Sequence, residues 1–430
     1  MKKVFILGAG LSGLSLAYHL QKRKIVCQIF EREKEIGGLA SSKQISGFYL
    51  DHAGHLLHFK HKRIFSFVKG LLGNSLIKHK RNASIYSFRR FVPYPFQVSL
   101  FALPQKIKED CLKGFIEAKE KNFVINNFQD WIMKEFGKGI ARYFMVPYNQ
   151  KLWQHDLHDI ALDWVNWSIP KPDLEDVING ALGIKNRQFG YNPVFFYPRE
   201  GGIGLFPESF PVSGKRLFNQ SAEKIDLKKH CVLLNNGEVI RYRWLLSTMP
   251  LHRLVLSLKD PPGWLLSACK KLEYVSVLNI NLGIDRPDVL PFHWVYFPEE
   301  DKPFYRIGCP SNFSRTVAPK GTTSLFMEIS LKPDQNHDIA ALTRECIESL
   351  KKCKILRPED KIVSMYPILL EYAYVIYNSA RSATVKKIHA YLNRHHIYSF
   401  GRYGSWIYSS MEDAVLEGKS NAERVIQISG

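Results

Sequence analysis

Residues 3–13 read KVFILGAGLSG, a short apolar run that ends in three spaced glycines. Residues 3–7 predict a buried strand, and the apolar residues between 14 and 20 recur at the spacing of a helix. A second apolar run, residues 25–30, ends in Glu31. This order of strand, glycine turn, helix, strand and acid is typical of a dinucleotide-binding unit.

Each glycine of this unit has a physical role. Gly8 permits the tight turn, Gly10 lets a pyrophosphate approach the backbone, and Gly13 lets helix and strand pack closely. The free N–H groups at the start of the helix favour the phosphates. We expect the carboxylate of Glu31 to accept a hydrogen bond from a ribose hydroxyl.

The residues after Glu31 favour FAD over NAD. Residues 37–41 read GGLAS and form a second loop that can approach a dinucleotide closely. The pattern resembles the superfamily of amine oxidases and related flavoproteins. We therefore expect Gly38, Leu39 and Ser41 to contact FAD as well.

Later segments predict that the FAD-binding domain is discontinuous. Residues 232–250 look like the hairpin and strand that return to this domain in that superfamily. Residues 397–402 predict a last strand, which includes Arg402, and a helix from about 411 to 426 aims its N-terminus, with Met411, at the FAD.

The segments between them predict two inserted domains. Residues 104–179 are mostly helical in pattern, with aromatic residues as the core of a bundle. Residues 272–284, 324–331 and 290–306 predict antiparallel strands. The fold class is α/β, with a discontinuous Rossmann-type FAD-binding domain, an inserted helical bundle and an antiparallel-sheet substrate domain. The domain ranges are 1–80 with 213–262 and 395–430 for FAD, 98–185 for the helices, and 81–97 with 186–212 and 263–394 for the sheet.

Composition limits the class of protein. The chain has 430 residues, 45% of them hydrophobic, which suits two or three globular domains. Seven cysteines without paired spacing favour reduced thiols in a cytoplasmic protein. We expect no signal peptide, no transmembrane helix and no metal site. The net charge of +20 favours an anionic ligand or peripheral contact with a membrane.

Taken together, the motifs resemble the UDP-galactopyranose mutase family, nearer to its eukaryotic form, over about residues 4–425. They are GGLASS (37–42), GFYLDHAGH (47–55), FVPYPFQ (91–97), VPYNQKLW (146–153), FGYNPVFFYPREGG (189–202), LLSTMP (245–250), HWVYFPEEDKPFYR (293–306), SNFS (311–314) and GRYGSWIY (401–408). The resemblance implies a reaction that uses reduced FAD without net redox change. It interconverts the pyranose and furanose forms of a nucleotide sugar through a sugar–flavin N5 adduct, for glycan biosynthesis.

The resemblance also implies roles for individual residues. Arg306 falls on the arginine that holds the diphosphate, His55 on the loop at the reactive edge of the flavin, and Arg402 beside cofactor and substrate. The substrate-binding positions that it implies are Asn149, Trp153, Asn192, Tyr296, Tyr374 and Tyr408. The implied partners are a nucleotide-diphosphate sugar and an electron donor, NAD(P)H or a reductase. We expect no nucleic acid, and a homo-oligomer stays open.

The sequence departs from this family at two positions near the substrate. A second substrate-binding arginine is expected about fifteen residues after Trp153, where this chain has Ser168. Lys171 is close enough in sequence to replace its charge. Phe313 stands where a tyrosine is usual. These changes favour an altered substrate, and loss of mutase activity stays open.

Two other functions fit the same motifs. One is an FAD-dependent oxidoreductase of the amine oxidase or protoporphyrinogen oxidase type. The other is a non-catalytic flavoprotein that docks on membranes through its basic surface. The tyrosine-rich pocket with Arg306 favours the mutase over the oxidoreductase, and the intact residues at the flavin edge count against the non-catalytic protein.

Overall fold

The computed structural model describes residues 4–165, 169–184, 187, 189, 192–212, 216–333 and 335–429. The strands are β1 Val4–Leu7, β2 Cys27–Phe30, β3 Ser42–Ile45, β4 Phe48–Asp51, β5 Leu76–Lys80, β6 Ala83–Ser87, β7 Arg90–Pro93, β8 Val194–Pro198, β9 Arg216–Leu217, β10 Ala222–Asp226, β11 Cys231–Leu234, β12 Val239–Arg241, β13 Leu245–Ser247, β14 Tyr274–Ile284, β15 Trp294–Tyr296, β16 Arg306–Gly308, β17 Thr323–Leu331, β18 Ile362–Val375 and β19 Ile397–Ser399.

The helices follow the same chain order. They are α1 Leu11–Gln21, α2 Lys62–Leu72, α3 Gln105–Glu120, α4 Phe128–Ile140, α5 Val146–Trp153, α6 Leu174–Leu182, α7 Leu205–Glu208, α8 Leu251–Leu256, α9 Gly263–Cys269, α10 Ile339–Lys352, α11 Arg381–Arg394, α12 Gly401–Gly404 and α13 Met411–Ser429. A π-helical turn, Ala141–Met145, joins α4 to α5.

A parallel sheet of five strands forms the first layer, in the order β19-β13-β1-β2-β9. Its strands come from distant parts of the chain, as expected for a discontinuous domain. All four residues of β1 are buried, which is typical of a parallel strand covered on both faces. Helices α1 and α13 pack against each other, and the Ser15 hydroxyl donates to the Val415 carbonyl at 2.7 Å.

A mainly antiparallel sheet of seven strands has the order β18-β14-β17-β16-β15-β6-β7. It includes the three segments that were predicted as antiparallel strands. The sequence did not predict β18, α10 or α11. Strand β18 lies at one edge of this sheet, and its residues Tyr366, Ile368 and Tyr374 face a large cavity.

Helices α3 to α6 form the predicted helical region. Phe128, Trp131, Phe136 and Ile140 of α4 are all buried, which confirms their prediction as core residues. Helices α3 and α4 approach so closely at Gly139 that a side chain there would overlap the backbone of Asp110. The domain boundaries themselves stay a prediction.

One element differs from the prediction. Arg402 does not extend a strand, because β19 ends at Ser399 and Arg402 lies in the short helix α12. The reason is Gly401, whose φ of +81° turns the chain, and a side chain there would crowd Ser12.

Among the residues that the structure describes, no helix is long and apolar enough to cross a membrane. All seven cysteines are free thiols, and six of them are buried.

Candidate active site

A cavity of about 1160 Å³ extends from the carboxyl ends of β1, β2 and β13 to the inner face of the seven-stranded sheet. In open α/β sheets, the carboxyl ends of parallel strands are the usual place for ligands. The cavity is larger than the roughly 300–1,000 Å³ of a common small-molecule site. It therefore has room for a dinucleotide together with a second ligand.

The glycine loop after β1 forms one end of the cavity. Gly8 has a φ of +104°, and a side chain there would overlap Oγ1 of Thr248. A side chain on Gly13 would overlap the carbonyl of Gly8, so α1 can lie close to β1 only with glycine at this position. Gly10 faces Gly38, whose added Cβ would lie 3.4 Å from the Gly10 Cα. The glycines therefore leave no side chains on this face of the loop, so a large anion can approach its backbone.

Glu31 lies at the end of β2 and lines the cavity. Its Oε2 accepts a hydrogen bond from the Ala9 N–H at 2.6 Å, and its Oε1 accepts one from the Glu33 N–H at 3.0 Å. Burial raises the pKa of this carboxyl, although both N–H groups oppose the shift. The carboxylate is held next to the glycine loop, where the sequence predicts the ribose.

The GGLAS loop and the start of α13 complete this end. Gly38, Leu39, Ser41 and Met411 all line the cavity. The Ser41 hydroxyl donates to the Gly38 carbonyl at 2.8 Å and lies 3.0 Å from His52 Nδ1. The loop is therefore fixed by its own side chains.

Three side chains form a row across the sheet at the other end of the cavity. Tyr296 of β15 pairs in register with Arg306 of β16, which pairs with Glu328 of β17. Residues opposite each other on adjacent strands point to the same face. Nε of Arg306 donates to Glu328 Oε2 at 2.7 Å, and Nη2 donates to Oε1 at 2.8 Å. The hairpin of β15 and β16 therefore places Tyr296 beside a guanidinium whose orientation is fixed by Glu328.

Glu328 also holds the loop that carries His55. The Gly54 N–H donates to Glu328 Oε1 at 3.0 Å. Burial alone would raise the pKa of Glu328, but Arg306 outweighs it and the pKa lies below its usual value. Burial, followed by the charge of Arg402, lowers the pKa of His55 to about 4. His55 is therefore a neutral imidazole at pH 7.

Arg402 is the second guanidinium of this part of the cavity. Nη1 donates to the Ser409 carbonyl at 2.6 Å and Nη2 to the Ala373 carbonyl at 3.0 Å. The guanidinium lies 4.7 Å from the centre of the Tyr408 ring. Within the described ranges, no carboxylate pairs with it. Glu328 thus balances Arg306 alone, and the unpaired charge of Arg402 leaves this end of the cavity positively charged.

Tyrosines cover the surface between the two guanidiniums. Tyr374 and Tyr408 are stacked with ring centres 5.8 Å apart, and both line the cavity with Tyr296. The hydroxyl of Tyr305 lies 3.5 Å from that of Tyr374. Burial raises the pKa of Tyr374, so its hydroxyl keeps its proton. These groups can donate hydrogen bonds to an anion without adding charge.

Asn192, Asn149 and Trp153 have different positions relative to the cavity. Asn192 lines it, and its Oδ1 accepts from Arg81 Nη1 at 3.0 Å. Asn149 and Trp153 are buried in α5 behind the wall, and Trp153 Nε1 donates to Asn149 Oδ1 at 3.3 Å. Trp153 packs edge-on against Tyr374. Their predicted contact with the nucleotide stays a prediction.

The structure describes one of the two departures from the mutase pattern, Phe313, and also Lys171. Ser168 lies outside the described residues. Lys171 does not reach the cavity, because its Nζ lies 3.5 Å from Glu135 Oε1 and against the Trp131 ring. The suggestion that Lys171 replaces the missing arginine is therefore wrong for this structure. Phe313 lines the cavity and packs against Tyr197.

The sequence interpretation missed Glu328 and Tyr305. Glu328 is the only charged residue in the apolar strand β17, which is entirely buried. A lone acid in such a strand needs a cationic partner, so this pattern was a usable signal. Tyr305 precedes Arg306 and gives no comparable signal.

The residues at the glycine end fit FAD. The bare backbone of Gly8, Gly10 and Gly38 leaves space for a pyrophosphate, and helices α1 and α13 both begin beside it. Glu31 is in place for a ribose. The ring of a flavin would then reach the loop of His55 and the row of Tyr296, Arg306 and Glu328.

Comparison with known proteins identifies the family of the chain. The family model for flavin containing amine oxidoreductases matches residues 11–426. The crystal structure of reduced UDP-galactopyranose mutase superposes with a TM-score of 0.93 at 29% identity, over 100% of this chain and 96% of that one.

More distant relatives share the fold or part of the sequence. A protein from Exiguobacterium sp. 255-15, provisionally assigned as a protoporphyrinogen oxidase, superposes with a TM-score of 0.76 at 13% identity, over 99% of this chain and 98% of that one. Prenylcysteine oxidase 1 of Rattus norvegicus is 36% identical over 197 residues, which are 45% of this chain and 35% of that protein. The chain thus spans about a third of the length of this curated relative.

The full-length likeness to UDP-galactopyranose mutase also supports FAD as the flavin. With a family match that runs from residue 11 to residue 426, the chain belongs to the flavin-containing amine oxidoreductases and has FAD as its cofactor.

Proposed function

We propose that this chain is a flavin-dependent mutase, which interconverts the pyranose and furanose forms of a sugar carried on a nucleotide diphosphate. One observation carries the proposal. Arg306 and Arg402 both line the cavity at its sheet end, where Glu328 pairs with Arg306 and no carboxylate of the described residues pairs with Arg402. A buried excess of positive charge is stabilised when an anion enters. A diphosphate is such an anion, and planar guanidiniums bind it well.

The row across the sheet explains how Arg306 would act on a leaving diphosphate. Glu328 accepts hydrogen bonds from Nε and Nη2 of Arg306 and so fixes the plane of the guanidinium. Nη1 of Arg306 forms no hydrogen bond within the described part of the chain. A donor that is already oriented needs no reorganisation when negative charge develops next to it. Tyr296, Tyr374 and Tyr408 add neutral donors around the same space.

His55 and the tyrosines define the polarity near the flavin. Reduced FAD would supply the electron-rich centre that the mutase chemistry requires. The neutral imidazole of His55 adds no charge there and can accept or donate a hydrogen bond. Neighbouring tyrosines, with their raised pKa values, remain proton donors.

The remaining parts of the proposal follow from this chemistry. The cofactor needs an electron donor, NAD(P)H or a reductase, and the product supplies furanose residues for a glycan. We place the protein in the cytoplasm, where nucleotide sugars are found. The serine at sequence position 168, together with the placement of Lys171 outside the cavity lining, favours a substrate other than UDP-galactose.

The test uses purified holoprotein, reduced under anaerobic conditions and offered UDP-galactose and a panel of other nucleotide sugars. We expect conversion between pyranose and furanose forms, measured by chromatography, without net oxidation of the flavin. Arg306→Ala should lose turnover and keep its FAD, since the hydrogen bonds of Arg306 in the described residues go to Glu328 and not to the glycine loop. Lys351→Ala, on the exposed face of α10, is the control and should keep full activity.

Other outcomes would point elsewhere. Turnover of an amine or a lipophilic substrate with consumption of oxygen would favour an oxidoreductase of the amine oxidase type. Full mutase activity in Arg306→Ala would contradict the role given to Arg306.

A further inference from the structure

A second, smaller cavity of about 380 Å³ lies on the outside of the helical region. Three cationic side chains, Lys80, Arg81 and Arg187, line it together with the aromatic rings of Tyr94 and Phe189. Arg81 lies over the Tyr94 ring and donates to Asn192 and to the Phe189 carbonyl. No carboxylate pairs with Lys80 or Arg81 within the described ranges. This cavity is therefore basic and suited to a phosphate group.

An apolar surface borders this basic cavity. Helix α6 buries Val177 and Ala181 against the protein but exposes Leu174, Ile178 and Leu182, which recur every four residues along its outer side. Such a face is unusual, because the outer side of a surface helix is normally polar.

Two further side chains extend the stripe. Ile184 follows the helix, and Phe101 packs next to Gly183. Phe101 is 51% exposed, Ile184 54% and Leu182 68%. We call these five residues, Leu174, Ile178, Leu182, Ile184 and Phe101, the apolar stripe.

Charge around the apolar stripe favours an anionic partner. Arg90, beside Phe101, donates to the Ala102 carbonyl and has no carboxylate partner among the residues described. At the start of α6, Asp173 and Asp176 are bound by Arg187, and Glu175 lies between them in sequence. In the described part of the chain, Lys80, Arg81 and Arg90 thus have no carboxylate partner, on a protein with a net charge of +20.

We propose that the apolar stripe and the basic cavity form one docking surface for an anionic phospholipid membrane. Side chains of the stripe would enter the boundary between headgroups and acyl chains, as in other interfacial helices. The basic cavity would hold a lipid phosphate. A second copy of the chain is a poorer occupant, because five half-exposed side chains fall well below the roughly 800 Å² per partner of a stable dimer.

The position of the surface relates it to the main cavity. Arg81 hydrogen-bonds Asn192, and Tyr94 packs against Tyr296, and both partners line the main cavity. Docking would thus bring the substrate end of the main cavity next to the membrane. The inference does not depend on which reaction occurs there.

The test is flotation of the holoprotein with vesicles of phosphatidylcholine alone, or of phosphatidylcholine with phosphatidylglycerol. We expect binding to the anionic vesicles only, and its loss in high salt. The double variant Ile178→Glu with Leu182→Glu should weaken binding by at least about tenfold, since two aliphatic side chains no longer enter the lipid. Val239→Glu, an exposed aliphatic on β12, is the matched control and should bind like the wild type.

A second variant tests the charge separately from the stripe. Lys80→Gln with Arg90→Gln should lose binding to anionic vesicles and keep the FAD spectrum. Four results would overturn the proposal. They are absence of wild-type binding at low salt, equal loss in Val239→Glu, saturable binding of soluble glycerol 3-phosphate without vesicle binding, and a dimer in solution that the stripe variant dissociates.

Discussion

Glu328 of β17 connects Arg306 of β16 with the loop that carries His55, which is far from both strands in sequence. It fixes the guanidinium of Arg306, and it accepts a hydrogen bond from the loop of His55. Its side chain is only 1% exposed, so its charge depends on these partners. The orientation of Arg306 and the position of the His55 loop are thus set by one carboxylate.

Glu328→Gln should therefore affect stability and activity together. The substitution leaves Arg306 without its counter-charge, and breaking a buried pair in this way costs about 3–5 kcal/mol. Denaturant unfolding of the holoprotein measures the loss. Glu348→Gln removes the partner of an exposed pair with Lys351 and should cost less than about 1 kcal/mol. Equal losses in the two variants would mean that Glu328 is not held as a charged group.

His55 should make the protein less stable in acid. Its folded pKa of about 4 lies below the 6.5 of the unfolded chain, so the unfolded state binds more protons between these values. Stability then falls as the pH drops from 6.5 to 4. Between pH 7 and pH 4.5, wild type should lose about 2–3 kcal/mol more than His55→Asn. Denaturation at both pH values measures this difference, and the exposed His158→Asn should behave like wild type.

The residues of the site differ in how far sequence could predict them. Gly8, Gly10 and Glu31 belong to a local pattern whose geometry is set within about thirty residues. The partner of Arg306 lies 22 residues away, on a strand whose register depends on the whole sheet. Asn149 and Trp153 belong to a motif that suggests binding, and their contact with the nucleotide stays a prediction, because both are buried in α5 and neither is among the lining residues of the cavity. Which face of a helix meets a cavity is decided by packing, which the motif does not contain.

At the scale of elements, the glycine turn after β1 is the part with least tolerance for change. Gly8→Ala should abolish FAD binding, because φ is +104° and the added methyl would overlap Thr248. Flavin absorbance of the purified protein measures the bound cofactor. Gly70→Ala in α2 is the matched control, since nothing lies within 4 Å of the added carbon. It should keep full FAD, and a loss of FAD in it alone would contradict this account.

Element prediction succeeded where periodicity is strong and failed where a single residue redirects the chain. The alternation in residues 324–331 and the helical pattern of α4 both led to the observed elements. Arg402 was placed in a strand because residues 397–400 are apolar and extended in pattern. The positive φ of Gly401 turns the chain just after that strand, and the sequence alone did not show that this glycine would end the extended segment.

At the scale of the whole molecule, FAD is expected to hold the two sheets together. Its cavity is lined by the parallel sheet on one side and by the seven-stranded sheet on the other. Removing FAD should lower the melting temperature, because a ligand at about 100 times its Kd adds about 2.7 kcal/mol. Calorimetry of apo and reconstituted protein measures the shift. FMN, which lacks the adenylate half bound near Glu31, should restore less stability, and full recovery with FMN would contradict this assignment.

The five-stranded sheet has a consequence for the order in which this protein is made. Strands β1 and β2 are synthesised before β13, from residues 245–247, and β19, from residues 397–399, which their sheet also needs. During translation, β1 and β2 therefore leave the ribosome long before the strands that complete their sheet. A nascent chain that stops short of β19 leaves β13 as an open edge and lacks α13. The acquisition of a yellow colour would then mark the chains that have been translated through α13.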